Sequence, residues 1–138
     1  MMARLTRLPD WRSRLLAYLS GAAALPYVEG KHDCALNCAN AVLAMTGVDY
    51  AEAYRGRYTS QRGGYRILRK DGFRDHVDLV AHHLTEKPVS FAHPGDVAVV
   101  DGPFGASLGV VQGELIYVLN EEGLATVPLL SASRCFEV

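Results

Sequence analysis

The stretch that decides the fold is Gly30-Lys31-His32-Asp33-Cys34-Ala35-Leu36-Asn37-Cys38-Ala39-Asn40-Ala41-Val42-Leu43-Ala44-Met45-Thr46-Gly47. Asp33 stands where an N-cap belongs, and the run behind it is small and apolar on nearly every side. It reads as a helix buried on most faces and closed by Gly47. Cys34 falls in the first turn. There the unpaired backbone N–H groups and the positive end of the helix dipole favour a thiolate, so the sulfur is a candidate nucleophile. Cys38 lies one turn later on the same face and reads as core packing.

Upstream, Asp10 is placed to cap a first helix with Trp11, Leu15, Leu16 and Leu19 on one face, ended by Gly21. Pro26 and Gly30 mark a loop. Downstream, Asp49 to Tyr54 reads as a short turn, and Ser60 to Leu68 as a helix stopped by Gly72. Phe73, Val77, Val80, Ala81 and Leu84 have helical spacing, which predicts an amphipathic helix over Phe73–Leu84. From Gly95 the period changes. Asp96–Val100, Ser107–Gln112, Glu114–Leu119 and Leu124–Leu130 read as strands, with a tight hairpin at Gly113. Gly-Asp at 95–96 is a turn signal, so Asp96 is expected to set the start of its strand. Helices gathered before an antiparallel meander predict an α+β fold, as one domain over residues 1–138.

Composition narrows the function. Among 138 residues, 14 basic and 15 acidic side chains give a net charge of −1, which supplies no bulk attraction to nucleic acid or an anionic membrane. The apolar stretch from Ser20 to Pro26 is too short to span a bilayer, and Met1–Pro9 has no apolar core behind its arginines. The expected place of synthesis is the cytoplasm. Cys34, Cys38 and Cys135 are too few for a disulfide framework and are expected as thiols. They could be drawn with His32 as metal ligands, but no Cys-x-x-Cys pair exists, so no metal or other cofactor is expected.

Gly30–Val42 resembles the Asp-Cys start of the central helix in NlpC/P60-type cysteine peptidases, which are papain-like. Pro94-Gly95-Asp96-Val97-Ala98-Val99-Val100 resembles their Gly-Asp strand, and Ser107-Leu108-Gly109-Val110-Val111-Gln112-Gly113 the strand after it. The combination is also similar to a small phage-associated family of unknown function related to NlpC/P60. The resemblance implies a papain-like fold, cell-wall peptide as the ligand class, and a place in the virion at the phage tail tip. It further implies hub and fibre-bearing tail proteins as partners.

One departure stands out. The family's histidine base opens the second strand, and the matching position here is Ser107; the third polar position matches Tyr117. Serine cannot accept a thiol proton near neutral pH as imidazole can. The resemblance therefore implies a degenerate site and a structural or assembly role. The alternative is an active peptidase or amidase served by another of the histidines, His32, His76, His82, His83 or His93. The basic, aromatic segment with Arg55, Arg57, Tyr58, Arg62, Tyr65 and Arg66 is expected as an interface to an acidic partner surface.

Overall fold

The computed structural model describes residues 5–102 and 105–138. Met1 to Arg4, part of the segment read as carrying no export signal, lie outside the described residues. Among these residues four α-helices, α1 (Trp11–Ala22), α2 (Cys34–Thr46), α3 (Gln61–Lys70) and α4 (His76–His83), precede all of the strands. The strands are β1 (Thr85–Lys87), β2 (Val97–Gly102), β3 (Gly105–Gln112), β4 (Leu115–Asn120), β5 (Gly123–Pro128) and β6 (Ala132–Glu137). They form one antiparallel sheet in the order β1-β6-β2-β3-β4-β5, an α+β architecture as expected.

α2 forms because nothing in it opposes a helix and both ends are stopped. Asp33 caps it through Leu36 N–H, and Gly47 closes it in the left-handed region at φ 77°. Its small side chains let the helix lie close against its neighbours, so Cys38, Ala39, Ala41, Val42 and Met45 are all fully buried. They pack with Leu15 and Leu19 of α1 and with Val97, Val99, Leu108, Val110 and Phe136 on one face of the sheet. The opposite face carries a smaller cluster around Ala98, Val111 and Ile116.

Several expectations are corrected. The Asp10 side chain does not cap α1; it accepts from Arg14 Nε at 2.8 Å. α1 runs through Gly21 to Ala22, and Leu16 lies on its outer face, 60% exposed. α4 starts at His76 because Asp75 caps it by accepting from Asp78 N–H, which leaves Phe73 ahead of the helix against the His82 ring. Strand Leu124–Leu130 ends at Pro128, and a 3-10 turn follows over Leu129–Ser131. β1 and β6 have no counterpart among the predicted strands. β1 is three polar residues at an edge, and only Cys135 and Phe136 of β6 are buried, so neither shows a strong period-2 pattern.

Asp96 does more than set a turn. Its carboxylate is wholly buried and takes two donors on each oxygen. Oδ1 accepts from Arg7 Nη2 at 3.0 Å and Val138 N–H at 3.1 Å; Oδ2 accepts from His93 N–H at 2.8 Å and Lys87 Nζ at 2.5 Å. Arg7 also donates to the carbonyls of Pro94 at 2.8 Å and Val138 at 2.9 Å. One side chain thus joins the N-terminal segment, β1, the start of β2 and the end of β6. Asp96→Asn removes the negative charge and leaves two cations facing a neutral group. The expected loss is about 3 kcal/mol in urea unfolding, against under about 1 kcal/mol for Glu86→Gln at the exposed Glu86–Arg134 pair.

Candidate active site

The start of α2 is held by one carboxylate. Asp33 is buried; its Oδ1 accepts from Leu36 N–H at 2.9 Å, and its Oδ2 from Gly30 N–H at 2.9 Å and the Tyr58 hydroxyl at 2.5 Å. With both oxygens occupied, Asp33 is a pin rather than an acid. Gly30 must be glycine: its φ is +83°, and a Cβ there would lie 2.0 Å from the Tyr58 carbonyl oxygen. Gly56 N–H donates to the Gly30 carbonyl at 2.8 Å, so residues 56–58 lie across the approach to α2.

Cys34, half-buried, occupies the first helical position. The backbone N–H groups of Leu108, on β3, and of its neighbour Ala35 face the sulfur. Burial nonetheless pushes the thiol up to about 11, and the carboxylates of Asp33 and Glu29 add to the rise. The dipole argument from sequence is therefore overridden: desolvation and two anions outweigh the helix start. At pH 7 the thiol is therefore held in its protonated form.

Next to Tyr58, the hydrogen-bond partner of Asp33, opens a groove of about 510 Å³ whose walls also include Tyr27, Glu29, Lys31 and Glu121; Cys34 itself is not among its lining residues. Tyr27 donates to Glu29 Oε1 at 2.8 Å. Burial raises the pKa of both tyrosines, and hydrogen bonds to Glu29 and Asp33 raise them further. Glu29 is also raised, by burial first and then by Asp33 and Glu121.

Ser107 pairs with Val100 in the β2–β3 ladder. Val100 and Val111 belong to the cluster on the sheet face away from α2, whereas Leu108, Val110 and Tyr117 pack with α2. Side chains alternate along a strand, so Ser107 and Tyr117 point to opposite faces and do not meet. Of the five histidines, His32 is buried with Nε2 3.3 Å from the Ala22 carbonyl, turned towards α1. His93 is exposed. His82 and His83 contact each other; His82 meets Phe73, and His83 stacks on Tyr50. His76 is different: it is buried, its Nε2 lies 2.8 Å from the Ala106 carbonyl on β3, and its ring is 5.6 Å from that of Tyr65. Burial lowers its pKa, with nearby Asp75 and Asp33 pulling the other way.

The expected interface residues divide. Arg62 and Arg66 are exposed on α3, and Arg57 is exposed with Nη1 donating to the Ala53 carbonyl at 2.7 Å. Arg55 is held by Asp49 through contacts of 2.8 and 3.1 Å. Tyr58 and Tyr65 turn inward, to Asp33 and His76. Cys38 lies in the core and Cys135 on β6, away from the helix start. Among the described residues no group of three or more His, Cys, Asp or Glu could hold a metal ion. Nor is any helix among them long and apolar enough to cross a membrane. Sequence reasoning missed Tyr27, Glu29 and Ala106; a carbonyl 30 residues from His76 leaves no sequence signal.

A family model described as a domain of unknown function, DUF6950, matches residues 6–138. The chain belongs to the DUF6950 family. No curated protein matches it. Among solved structures it is similar to the crystal structure of the NlpC/p60 domain of the peptidoglycan hydrolase SagA. That match has a TM-score of 0.56 and 16% identity, covering 91% of this chain and 97% of that one. The DUF6950 chain thus has the NlpC/P60-type, papain-like fold.

Two outcomes are expected. Asp33→Ala removes the cap and strands the Tyr58 hydroxyl, which should cost about 2 kcal/mol in thermal or urea unfolding. The folded state raises Cys34 and Cys135 from 9.0 to about 11 by burial. A thiol raised on folding contributes stability below its unfolded value and loses it through its folded one. Stability should therefore fall between about pH 9 and 11, as measured by urea midpoint at each pH.

Proposed function

We propose that this chain is a phage or prophage tail-tip protein that binds cell-wall peptide in the Tyr27–Tyr58 groove and cleaves it at Cys34. The observation that carries the reading is the seat of Cys34: first residue of a buried helix, next to Asp33, whose partner Tyr58 walls the groove, with the backbone N–H groups of Leu108 and Ala35 near its sulfur. Likeness to the NlpC/p60 domain of a peptidoglycan hydrolase supports the ligand class. The resemblance of Gly30–Val42, Pro94–Val100 and Ser107–Gly113 in combination to the phage-associated family supports the tail tip. Exposed Arg57, Arg62 and Arg66 suit contact with acidic surfaces of hub or fibre-bearing proteins.

A thiol at about 11 is not a standing nucleophile, so cleavage requires that its proton be removed during attack. The groove carries Glu29 and Glu121 together with Lys31, a mixed set that suits a peptide with both an ammonium and a carboxylate group. Purified protein should release new amino termini from soluble wall peptides, and Cys34→Ala should lower that rate at least about a thousandfold. Binding of the peptides without any Cys34-dependent release would instead leave the assembly role, with Cys34 as a remnant.

A further inference from the structure

The edge of β3 explains what could receive the thiol proton. Val111 trades backbone hydrogen bonds with Asp96 and Gly95, so the odd-numbered residues of β3 bond towards β2 and the even-numbered ones face the other way. β4 pairs with β3 only from Gly109 onward. Among the described residues, the Ala106 carbonyl and the Leu108 N–H therefore face an edge that has no strand beside it at that point. Two side chains take their place. His76 Nε2 meets the Ala106 carbonyl at 2.8 Å, and the Cys34 sulfur faces the Leu108 N–H. Two residues of extended strand span about 6.6 Å, so thiol and imidazole sit at adjacent stations on one edge.

The contact also assigns the proton. A carbonyl oxygen only accepts, so Nε2 carries the hydrogen and Nδ1 the lone pair of the neutral ring. Tyr65 covers the ring, its plane tilted 31° from it. Asp75 and Asp33, the carboxylates that act on His76, favour the imidazolium that would form on proton transfer. Asp33 and Glu29 oppose a free thiolate at Cys34, so a concerted transfer is favoured over prior ionisation.

We infer that His76, oriented by the Ala106 carbonyl, is the proton acceptor for Cys34 in place of a strand histidine at Ser107. This rests on the cleavage reading and names its base. As the sulfur bonds to the peptide carbonyl carbon, the S–H proton passes to His76 Nδ1. Collapse breaks the C–N bond, and the same proton leaves on the amine. Water then opens the thioester, giving a carboxylic acid and the restored thiol.

The test compares wild type with His76→Gln, which keeps an N–H for Ala106 but has no basic lone pair. Iodoacetamide labelling of Cys34 is followed by peptide mass from pH 5 to 10. Wild type should react at least tenfold faster at pH 7; equal rates in two folded proteins overturn the pairing. Should His76→Gln not fold, nitrogen-15 NMR of His76 in wild type and Cys34→Ala decides. An Nε2–H tautomer whose titration midpoint moves when Cys34 is removed supports the pair, and an Nδ1–H tautomer or an unmoved midpoint ends it. Coupling without peptide release sinks the cleavage reading alone. Release that needs Cys34 but not His76 sinks only the pairing.

Discussion

The arrangement around Cys34 depends on the three hydrogen bonds accepted by the buried Asp33 carboxylate. One comes from inside α2, one from the entering loop, and one from Tyr58, 25 residues further on. Each alone is an ordinary contact. Together they fix where the helix begins, how the chain reaches it and which aromatic wall stands beside it. A buried carboxylate must keep its hydrogen-bond donors to offset its desolvation, so the three segments cannot move independently.

Asp96 plays the matching part at the other end of α2. Gly95 lies so close to Met45 that a Cβ there would stand 2.7 Å from its sulfur, and Leu8 N–H bonds to the Met45 carbonyl at 2.7 Å. The N-terminal segment, the end of α2 and the sheet thus meet around the residues that Asp96 ties down. Two buried carboxylates therefore hold the long axis of the central helix against the sheet. The site at its start inherits that rigidity, which a constellation built from a helix, a loop and a strand edge requires.

The free stretch of β3 edge is where structure turns into chemistry. Strand pairing usually consumes backbone groups, and here it stops at Gly109. The polar groups left over at Ala106 and Leu108 are met by an imidazole and a thiol. Satisfying the backbone and assembling a candidate dyad are one geometric event. The imidazole at this edge comes from α4, while Ser107 of β3 turns its side chain to the other face of the sheet.

Much of this protein was legible in the residues themselves. Asp33 and Gly47 announced α2 because capping and left-handed closure are local, and the β-branched runs after Gly95 announced β2 to β4 because period-2 alternation is local as well. Cys34 could be singled out for the same reason. β6 escaped because only Cys135 and Phe136 of it are buried, and it enters the sheet between β1 and β2 rather than at the end of the meander. The thiol's protonation, the inward turn of Tyr58 and Tyr65, and the meeting of His76 with Ala106 were decided by tertiary structure. Desolvation and contacts between distant segments exist only once the chain has closed on itself, so no local pattern encodes them.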